Sequence, residues 1–380
     1  MAISKEQHFD PQVAPKRILA LDGGGLRGVL TLEYLAVIED LLRSRSNGDA
    51  SFRLCDYFDL IGGTSTGSII AAALACGMSV TELKMLYREI GNRVFEPSFF
   101  RRGLLTPKFP AATVQAALDA HLGGGVTLGG DEVRTGLMVM TKRLDTGSPW
   151  PLHNNPSSPY AVEDGKLLLT QVVRASTAAP TYFEPEAISI SSRDGSVVKG
   201  AFVDGGVSPF NDPALQLLMV AAVQGHGFRW QTGADKLLLI SLGTGTYKQT
   251  FSTEALMSMV AAEQGLRALQ SLMDDCGRVN QAMLQWITHC VTPWRIDRVF
   301  GDMVEDSARG PRLATYARYN VLLEEGWLMT EVKIECGREK LAKIAEMDKP
   351  ANMEELAEIG AKAAALQVKS SHFDGFDIRH

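Results

Sequence analysis

The sequence predicts an α/β protein built around one mostly parallel sheet, with a helical C-terminal part. Between residues 16 and 250, short apolar segments alternate with segments whose apolar residues recur at helical spacing. Several of the apolar segments end at glycine-rich turns. Strands that alternate with helices in this way form parallel sheets whose two faces are covered by helices.

The predicted elements follow one another in a regular order. Residues 17–21 and 57–61 are predicted strands, and each leads through glycines into a predicted helix. Ser79 and Glu82 form a capping-box pattern, which predicts the start of a third helix. Further strands are predicted at residues 135–141, 197–203 and 236–242, and further helices at residues 166–178 and 351–369.

The domain organisation is expected to be simple. Residues 1–15 are expected to form a loose polar arm, and residues 16–300 the main domain. Because the pattern after residue 254 is almost wholly helical, we expect residues 301–380 to form a helical extension packed on the same domain. The uncharged stretch 60–81 is long enough to span a bilayer, but small polar residues crowd its first half. This composition favours a strand, a tight turn and a buried helix.

Composition and charge argue against several classes of protein. The net charge of −6 provides no general attraction to nucleic acid or to anionic membranes. The five cysteines contain no Cys-x-x-Cys pair, which disfavours a disulfide framework and a cysteine zinc site. The N-terminus lacks the apolar run of a signal peptide, so we expect a cytoplasmic location. No cluster of potential ligands has metal-binding spacing, and we expect neither a metal nor a cofactor.

The strongest motif for chemistry is GTSTG at residues 63–67, a G-x-S-x-G sequence between a predicted strand and a helix of small residues. A sharp strand-to-helix turn lifts the serine hydroxyl clear of the chain, and the two glycines let chain segments pass closely. The helix N-terminus also favours developing negative charge. The motif alone often arises by chance in glycine–serine turns, but the two flanks favour Ser65 as a catalytic nucleophile.

A second motif, DGGGLRG at residues 22–28, follows the first predicted strand. Taken alone, it matches the G-x-G-x-x-G dinucleotide fingerprint, which makes a nucleotide-dependent oxidoreductase the alternative enzyme class. That fingerprint requires an acidic residue at the end of the second strand, where the serine turn stands instead. We favour an oxyanion hole, in which successive glycine N–H groups surround a carbonyl oxygen that gains charge. Arg27 would add positive charge or hold the loop.

A third motif, Asp204-Gly205-Gly206, stands at the end of another predicted strand. Parallel strands place their C-terminal ends at one edge of the sheet, so we expect Asp204 to meet Ser65 there. In isolation, the motif would be interpreted as a turn whose carboxylate caps the next segment. None of the seven histidines follows a strand in a catalytic setting, and all are expected to be surface or structural residues.

These three motifs, in this order, resemble those of the patatin-like phospholipase family, over residues 16–250. The resemblance implies a three-layer α/β/α sandwich and a Ser65–Asp204 dyad that works without histidine. It also implies an oxyanion hole formed by the glycine loop, with the members Gly23, Gly24, Gly25 and Arg27. The glycines that support the motifs are Gly28, Gly63, Gly67, Gly205 and Gly206.

The function that the resemblance implies is calcium-independent hydrolysis of acyl esters in lipids, of the phospholipase A or lysophospholipase type. A phospholipid or another acyl lipid is the implied substrate, and peripheral contact with a membrane is expected. Bacterial members of the family include effectors that signalling nucleotides switch on. The alternative is therefore a signal-regulated, membrane-degrading effector or a scaffold with secondary esterase activity. The lipid headgroup, the trigger and the oligomeric state stay open.

Two segments are candidates for contact with lipid. Aromatic residues lie beside arginines between residues 93 and 105, a composition that suits a bilayer interface, although packing against the core is an equal alternative. The expected contact residues are Phe95, Phe99, Phe100, Arg101 and Arg102. The Met-rich segment 255–283 would line an acyl channel or, in the interpretation that we favour, pack in the core.

Overall fold

The structure, a computed structural model, describes residues 3–94, 109–191, 196–248, 251–306, 308 and 310–379. Among these residues the strands are β1 (Lys16–Leu21), β2 (Leu60–Thr64), β3 (Gly136–Arg143), β4 (Ser148–His153), β5 (Glu186–Ser191), β6 (Val197–Asp204), β7 (Leu237–Leu242), β8 (His289–Cys290) and β9 (Thr315–Tyr319). The helices are α1 (Lys5–Phe9), α2 (Gly28–Arg45), α3 (Thr66–Ala75), α4 (Val80–Val94), α5 (Ala111–Leu118), α6 (Ala161–Asp164), α7 (Leu169–Ser176), α8 (Ala214–Ala222), α9 (Thr253–Met257), α10 (Ala261–Ile287), α11 (Glu325–Thr330), α12 (Arg338–Ile344) and α13 (Met353–Gln367).

The strands form one sheet in the order β5-β6-β3-β2-β1-β7-β9-β8, and β4 pairs with β3. The central pairs are parallel: β1 with β2, β1 with β7, β2 with β3, and β7 with β9. Their C-terminal ends therefore lie at one edge of the sheet, which we call the carboxyl edge. The predicted α/β class with a mostly parallel central sheet is confirmed.

Alternate residues of β1 contribute to two separate hydrophobic cores. Leu19 and Leu21 belong to the larger core, together with apolar residues of α2, α3, α4 and α13. Ile18 and Ala20 belong to the smaller core, which includes the apolar residues of α8. Because neighbouring residues of a strand point to opposite faces, the sheet lies between two layers of helices.

The uncharged stretch 60–81 forms β2, α3 and the start of α4. Ser79 and Glu82 make the predicted capping box at the start of α4: the amide of Ser79 donates to Glu82 Oε2 over 2.8 Å, and the amide of Glu82 donates to Ser79 Oγ over 3.3 Å. Among the described residues, no helix combines the length and the apolar character of a membrane span.

The N-terminal arm is not the loose segment that the sequence suggested. Helix α1 begins with a capping box at Ser4, and His8 and Phe9 are buried. Nδ1 of His8 lies 3.0 Å from Oδ1 of Asp59, and Nζ of Lys16 donates to the carbonyl oxygen of His8 over 2.7 Å. The expectation was wrong because polar groups of this arm satisfy buried charges beside the sheet.

The chain after residue 254 also differs from the expectation, because it is not wholly helical. Strands β8 and β9 join the sheet, and β9 pairs with β7 along its whole length. The boundary that we expected at residue 300 would therefore separate β7 from β9, although these two strands are hydrogen-bonded to each other. The sequence pattern concealed β9 because this strand is only five residues long and includes a charged residue, Arg318.

Candidate active site

Ser65 lies at the sharp turn between β2 and α3. Its backbone φ of 53° and ψ of −123° form a conformation that is rare for a residue with a side chain. A Cβ on Gly63 would overlap the carbonyl group of Gly67, and a Cβ on Gly67 would overlap the carbonyl group of Leu21. The two glycines therefore let the turn close against the end of β1 and present the Ser65 side chain at the carboxyl edge.

The side chains of Ser65 and Asp204 are in direct contact. Ser65 Oγ donates a hydrogen bond to Asp204 Oδ2 over 2.5 Å. The amide of Gly206 donates to the other oxygen, Oδ1, over 2.7 Å. One oxygen of the carboxylate is thus held by the backbone, which leaves the other directed at the serine hydroxyl.

Asp204 meets Ser65 through an arrangement of strands that differs from the one that we expected. Strand β6 is antiparallel to β3, and Asp204 pairs with Thr141. Strand β2 is parallel to β3 and ends with Thr64 opposite Met140. Strand β4 pairs with one side of β3, so β2 and β6 both pair with the opposite side of β3. There the two strands meet end to end. We expected β6 to be parallel to its neighbours, and this expectation is wrong. The end of β6 meets Ser65 because β2 and β6 run toward each other.

The environment of Asp204 suits a base. Burial raises the pKa of Asp204 to about 6, while the hydrogen bonds from Ser65 and Gly206 and the charge of Arg174 oppose this rise. The carboxyl group is therefore mostly ionised at neutral pH, yet it binds a proton more strongly than an exposed aspartate does.

The glycine loop approaches the same turn from the end of β1. The amide of Gly23 donates to the carbonyl oxygen of Asn211 over 3.1 Å, so it is occupied. Among the hydrogen bonds of the described residues, the amides of Gly24 and Gly25 have no acceptor. Of the glycines predicted for the oxyanion hole, the structure therefore leaves Gly24 and Gly25 as available donors.

Side chains from two other elements hold the glycine loop. Thr244, just after β7, donates through Oγ1 to the carbonyl oxygen of Gly23 over 2.8 Å. The hydroxyl of Tyr87, on α4, donates to the carbonyl oxygen of Gly25 and lies 2.6 Å from Oγ1 of Thr66. Tyr87 thus connects the loop to the residue that follows Ser65.

Arg27 was predicted either to supply charge or to hold the loop. Its Nη2 lies 3.5 Å from Sδ of Met347. The backbone of the same methionine contacts the loop, because the amide of Leu26 donates to the carbonyl oxygen of Met347 over 2.8 Å. These contacts favour the holding role.

Ser176 and Arg318 also support the site, and neither was predicted from the sequence. The amide of Ser65 donates to Ser176 Oγ over 2.9 Å, and Ser176 Oγ donates to the carbonyl oxygen of Met140 over 2.6 Å. The guanidinium of Arg318 is paired with Asp22. A serine at the end of a helix carries no signal for this role, but a charge within a buried strand indicates that a buried partner exists.

Among the described residues, which do not include His380, no hydrogen bond of Ser65 or Asp204 involves a histidine. Five of the described histidines have side-chain partners: His8 with Asp59, His121 with Glu89, His372 with Tyr319, and His153 and His226 with each other.

The two predicted lipid-contact segments have different outcomes. The residues Phe95, Phe99, Phe100, Arg101 and Arg102 lie outside the described residues. The Met-rich segment 255–283 is described, and its apolar side chains are largely exposed: Met257 by 80%, Leu272 by 59% and Val279 by 59%. Core packing is therefore the wrong interpretation for most of this segment.

The chain is similar to proteins that are already known. The family model described as patatin-like phospholipase matches residues 19–218. The chain is 33% identical over 212 residues to a cGAMP-activated phospholipase of Vibrio cholerae, covering 53% of this chain and 56% of that protein. It is 30% identical over 274 residues to Patatin-17 of Solanum cardiophyllum, covering 68% of each.

The solved structure of human GIVD cytosolic phospholipase A2 is 12% identical and superposes with a TM-score of 0.42, covering 97% of this chain and 61% of that one. This similarity is too low to support a functional comparison. The chain spans little more than half the length of the cGAMP-activated relatives that it matches.

Proposed function

We propose that this chain, which belongs to the patatin-like phospholipase family, hydrolyses acyl esters of lipids as a phospholipase A or lysophospholipase. The observation that carries the proposal is the 2.5 Å hydrogen bond from Ser65 Oγ to Asp204 Oδ2 at a strained turn. The neighbouring open amides of Gly24 and Gly25 support acyl transfer. The dinucleotide alternative loses support because β2 ends at Thr64 and is followed by Ser65, not by an acidic residue.

In the proposed reaction, Ser65 Oγ attacks the carbonyl carbon of the ester while Asp204 Oδ2 accepts the hydroxyl proton. The amide of Gly206 keeps Oδ1 of Asp204 in place, so that Oδ2 stays directed at the serine. The carbonyl oxygen gains negative charge as the new carbon–oxygen bond forms. The amides of Gly24 and Gly25 and the N-terminus of α3 stabilise this charge.

The tetrahedral intermediate then collapses, and the alcohol leaves with the proton held by Asp204. This step leaves an acyl ester on Ser65. A water molecule gives its proton to Asp204 and attacks the acyl carbon. The fatty acid is released, and the proton returns to Ser65.

Replacement of Ser65 tests the proposal directly. Ser65→Ala removes one hydroxyl, and we expect less than about a hundredth of the wild-type turnover on a short soluble ester and on phosphatidylcholine vesicles. Its circular dichroism spectrum should match that of the wild type. Ser44→Ala, which removes an exposed hydroxyl on α2, is the matched control. If Ser65→Ala keeps its activity, Ser65 is not the nucleophile.

Access to lipid is a further part of the proposal. We propose peripheral membrane contact through the aromatic and arginine residues Phe95, Phe99, Phe100, Arg101 and Arg102. Replacement of Phe99 and Phe100 by serine should then weaken hydrolysis of vesicles more than hydrolysis of a short soluble ester. Equal losses on both substrates would favour a packing role for this segment.

A second candidate function is that of a signal-regulated effector. The observation that favours it is the 32–33% identity to proteins named cGAMP-activated phospholipases. Under this alternative, cGAMP added to the purified chain should raise vesicle hydrolysis, and the Ser65→Ala variant should not respond. Full activity without any added nucleotide, unchanged by cGAMP, would support an unregulated hydrolase.

A further inference from the structure

Arg318 lies in β9, beyond residue 218, where the match to the family model ends. The residue is only 3% exposed. A buried guanidinium is costly unless carboxylates and hydrogen-bond acceptors surround it. The groups around Arg318 therefore indicate what it does in the fold.

Two carboxylates share this guanidinium. Nη1 of Arg318 donates to Asp22 Oδ1 over 2.6 Å, and Nη2 donates to Asp22 Oδ2. Nη1 also lies 3.3 Å from Asp212 Oδ2. Ser241 Oγ accepts from Nη1 over 2.6 Å and donates to Asp212 Oδ1 over 3.3 Å. The network joins β9 and β7 to the residue after β1 and to the turn before α8.

The two carboxylates flank the backbone contact that sets the position of the glycine loop. Asp22 precedes Gly23, and Asp212 follows Asn211. The amide of Gly23 donates to the carbonyl oxygen of Asn211, and Nδ2 of Asn211 donates to the carbonyl oxygen of Gly23 over 3.3 Å. Through its two partners, Arg318 thus holds both sides of this contact.

The next two amides along the loop, those of Gly24 and Gly25, are the proposed donors to the oxyanion. A displacement of about 1 Å in a catalytic arrangement can lower the rate by about 10²-fold. We propose that Arg318 is a positioning residue of the oxyanion hole, which it orients by pairing with Asp22 and Asp212. The inference rests on the proposed ester hydrolysis.

A merely structural role would make a different prediction. Breaking a buried ion pair destabilises a protein wherever the pair lies. Only a positioning role would lower kcat in molecules that remain folded while KM stays almost unchanged, because the oxyanion donors act mainly in the transition state.

The test compares Arg318→Gln and Asp22→Asn, singly and combined, with Arg379→Gln. Arg379 is the matched control because it also pairs with a buried carboxylate, that of Asp59. Asp59 precedes β2 and therefore lies at the edge of the sheet opposite the carboxyl edge. Kinetics on a short soluble ester are measured well below each unfolding midpoint. If Arg318→Gln does not fold, Arg318→Lys takes its place beside Asp22→Asn.

We expect Arg318→Gln and Asp22→Asn each to lower kcat about 10- to 100-fold, with little change in KM. The double variant should be no slower than the worse single variant, because both changes break the same contact between Arg318 and Asp22. Arg379→Gln should lose stability but keep its kcat. Unchanged kcat in the Arg318 and Asp22 variants, or an equal loss in the Arg379 variant, would overturn the inference.

A covalent probe distinguishes failure of this inference from failure of the proposed function. A fluorophosphonate reacts when Ser65 Oγ bonds to phosphorus, fluoride leaves and Asp204 takes the proton. Slower labelling of Arg318→Gln than of the wild type supports the positioning role even for a poor ester substrate. If the wild type neither hydrolyses esters nor is labelled, the proposed function fails and this inference fails with it.

Discussion

Two buried carboxylates, Asp59 and Asp22, stand at opposite edges of the central sheet and have opposite surroundings. Asp59 precedes β2, and the side chains of His8, Lys16 and Arg379 lie within 4.0 Å of its carboxylate. Burial alone would raise the pKa of Asp59, but the hydrogen bond from His8 and the charges of Arg379 and Lys16 lower it. At this edge the carboxylate is well satisfied and connects both ends of the chain to the sheet.

At the carboxyl edge, Asp22 and Asp212 share a single guanidinium, that of Arg318. Burial raises the pKa of Asp22 to about 7, because the attraction of Arg318 offsets burial only in part and Asp212 adds repulsion. Asp204 and the strained Ser65 stand at the same edge. One edge of the sheet is therefore arranged for stability, whereas the other keeps carboxyl groups with raised pKa values where the reaction is proposed to occur.

The largest effect is expected from Asp204→Asn. The amide preserves the shape of the side chain but cannot accept the serine proton, so kcat on a soluble ester should fall by about 10²–10⁴-fold. Because the change removes a buried charge, the thermal midpoint should not fall. Single alanine variants of the seven histidines are the controls, and all should stay active. An inactive but folded histidine variant would replace the dyad by a triad.

Asp59→Asn should show the reverse behaviour at the other edge. The change leaves buried cations without their carboxylate, and we expect the free energy of unfolding to fall by about 3–5 kcal/mol. The kcat of the folded protein should stay at the wild-type value. Urea unfolding and ester kinetics on the same preparation check both statements. A loss of kcat without a loss of stability would abolish the distinction between the edges.

The pH dependence should separate the edges further. Since only the carboxylate form of Asp204 is a base, kcat should fall as the pH drops through about 6, the raised pKa of this group. Below this pH, the decline should approach about tenfold per pH unit. The profile of Asp59→Asn should have the same midpoint. A kcat that stays flat down to pH 3.8, the ordinary value for an aspartate, would contradict the role of Asp204.

The smallest effect is expected from Thr244→Val, which removes the hydrogen bond to the carbonyl oxygen of Gly23. The loss of one such bond, about 1 kcal/mol, should lower kcat about fivefold through the position of the glycine loop. Thr315→Val is the matched control, because Thr315 Oγ1 donates to the carbonyl oxygen of Ala234 before β7, at the other edge. It should lose a similar amount of stability and keep its kcat.

Local patterns in the sequence were enough to predict the α/β class, most of the central strands and the serine turn. Buried parallel strands appear as short apolar runs, and a tight turn requires glycine at particular positions, as at Gly63 and Gly67. Such features depend on backbone geometry and on burial within a few residues. They can therefore be recognised without knowledge of distant parts of the chain.

Tertiary structure alone decided which charged groups from distant parts of the chain pair with one another. Asp22 and Arg318 are 296 residues apart, and Asp59 and Arg379 are 320 residues apart, so no local pattern relates them. Local periodicity also cannot specify the direction of β6, because a strand has the same pattern whichever way it runs. The amide of Gly23 is occupied only because the turn at Asn211 folds back onto it. Contacts between distant segments therefore determine which donors and which charges remain available at the site.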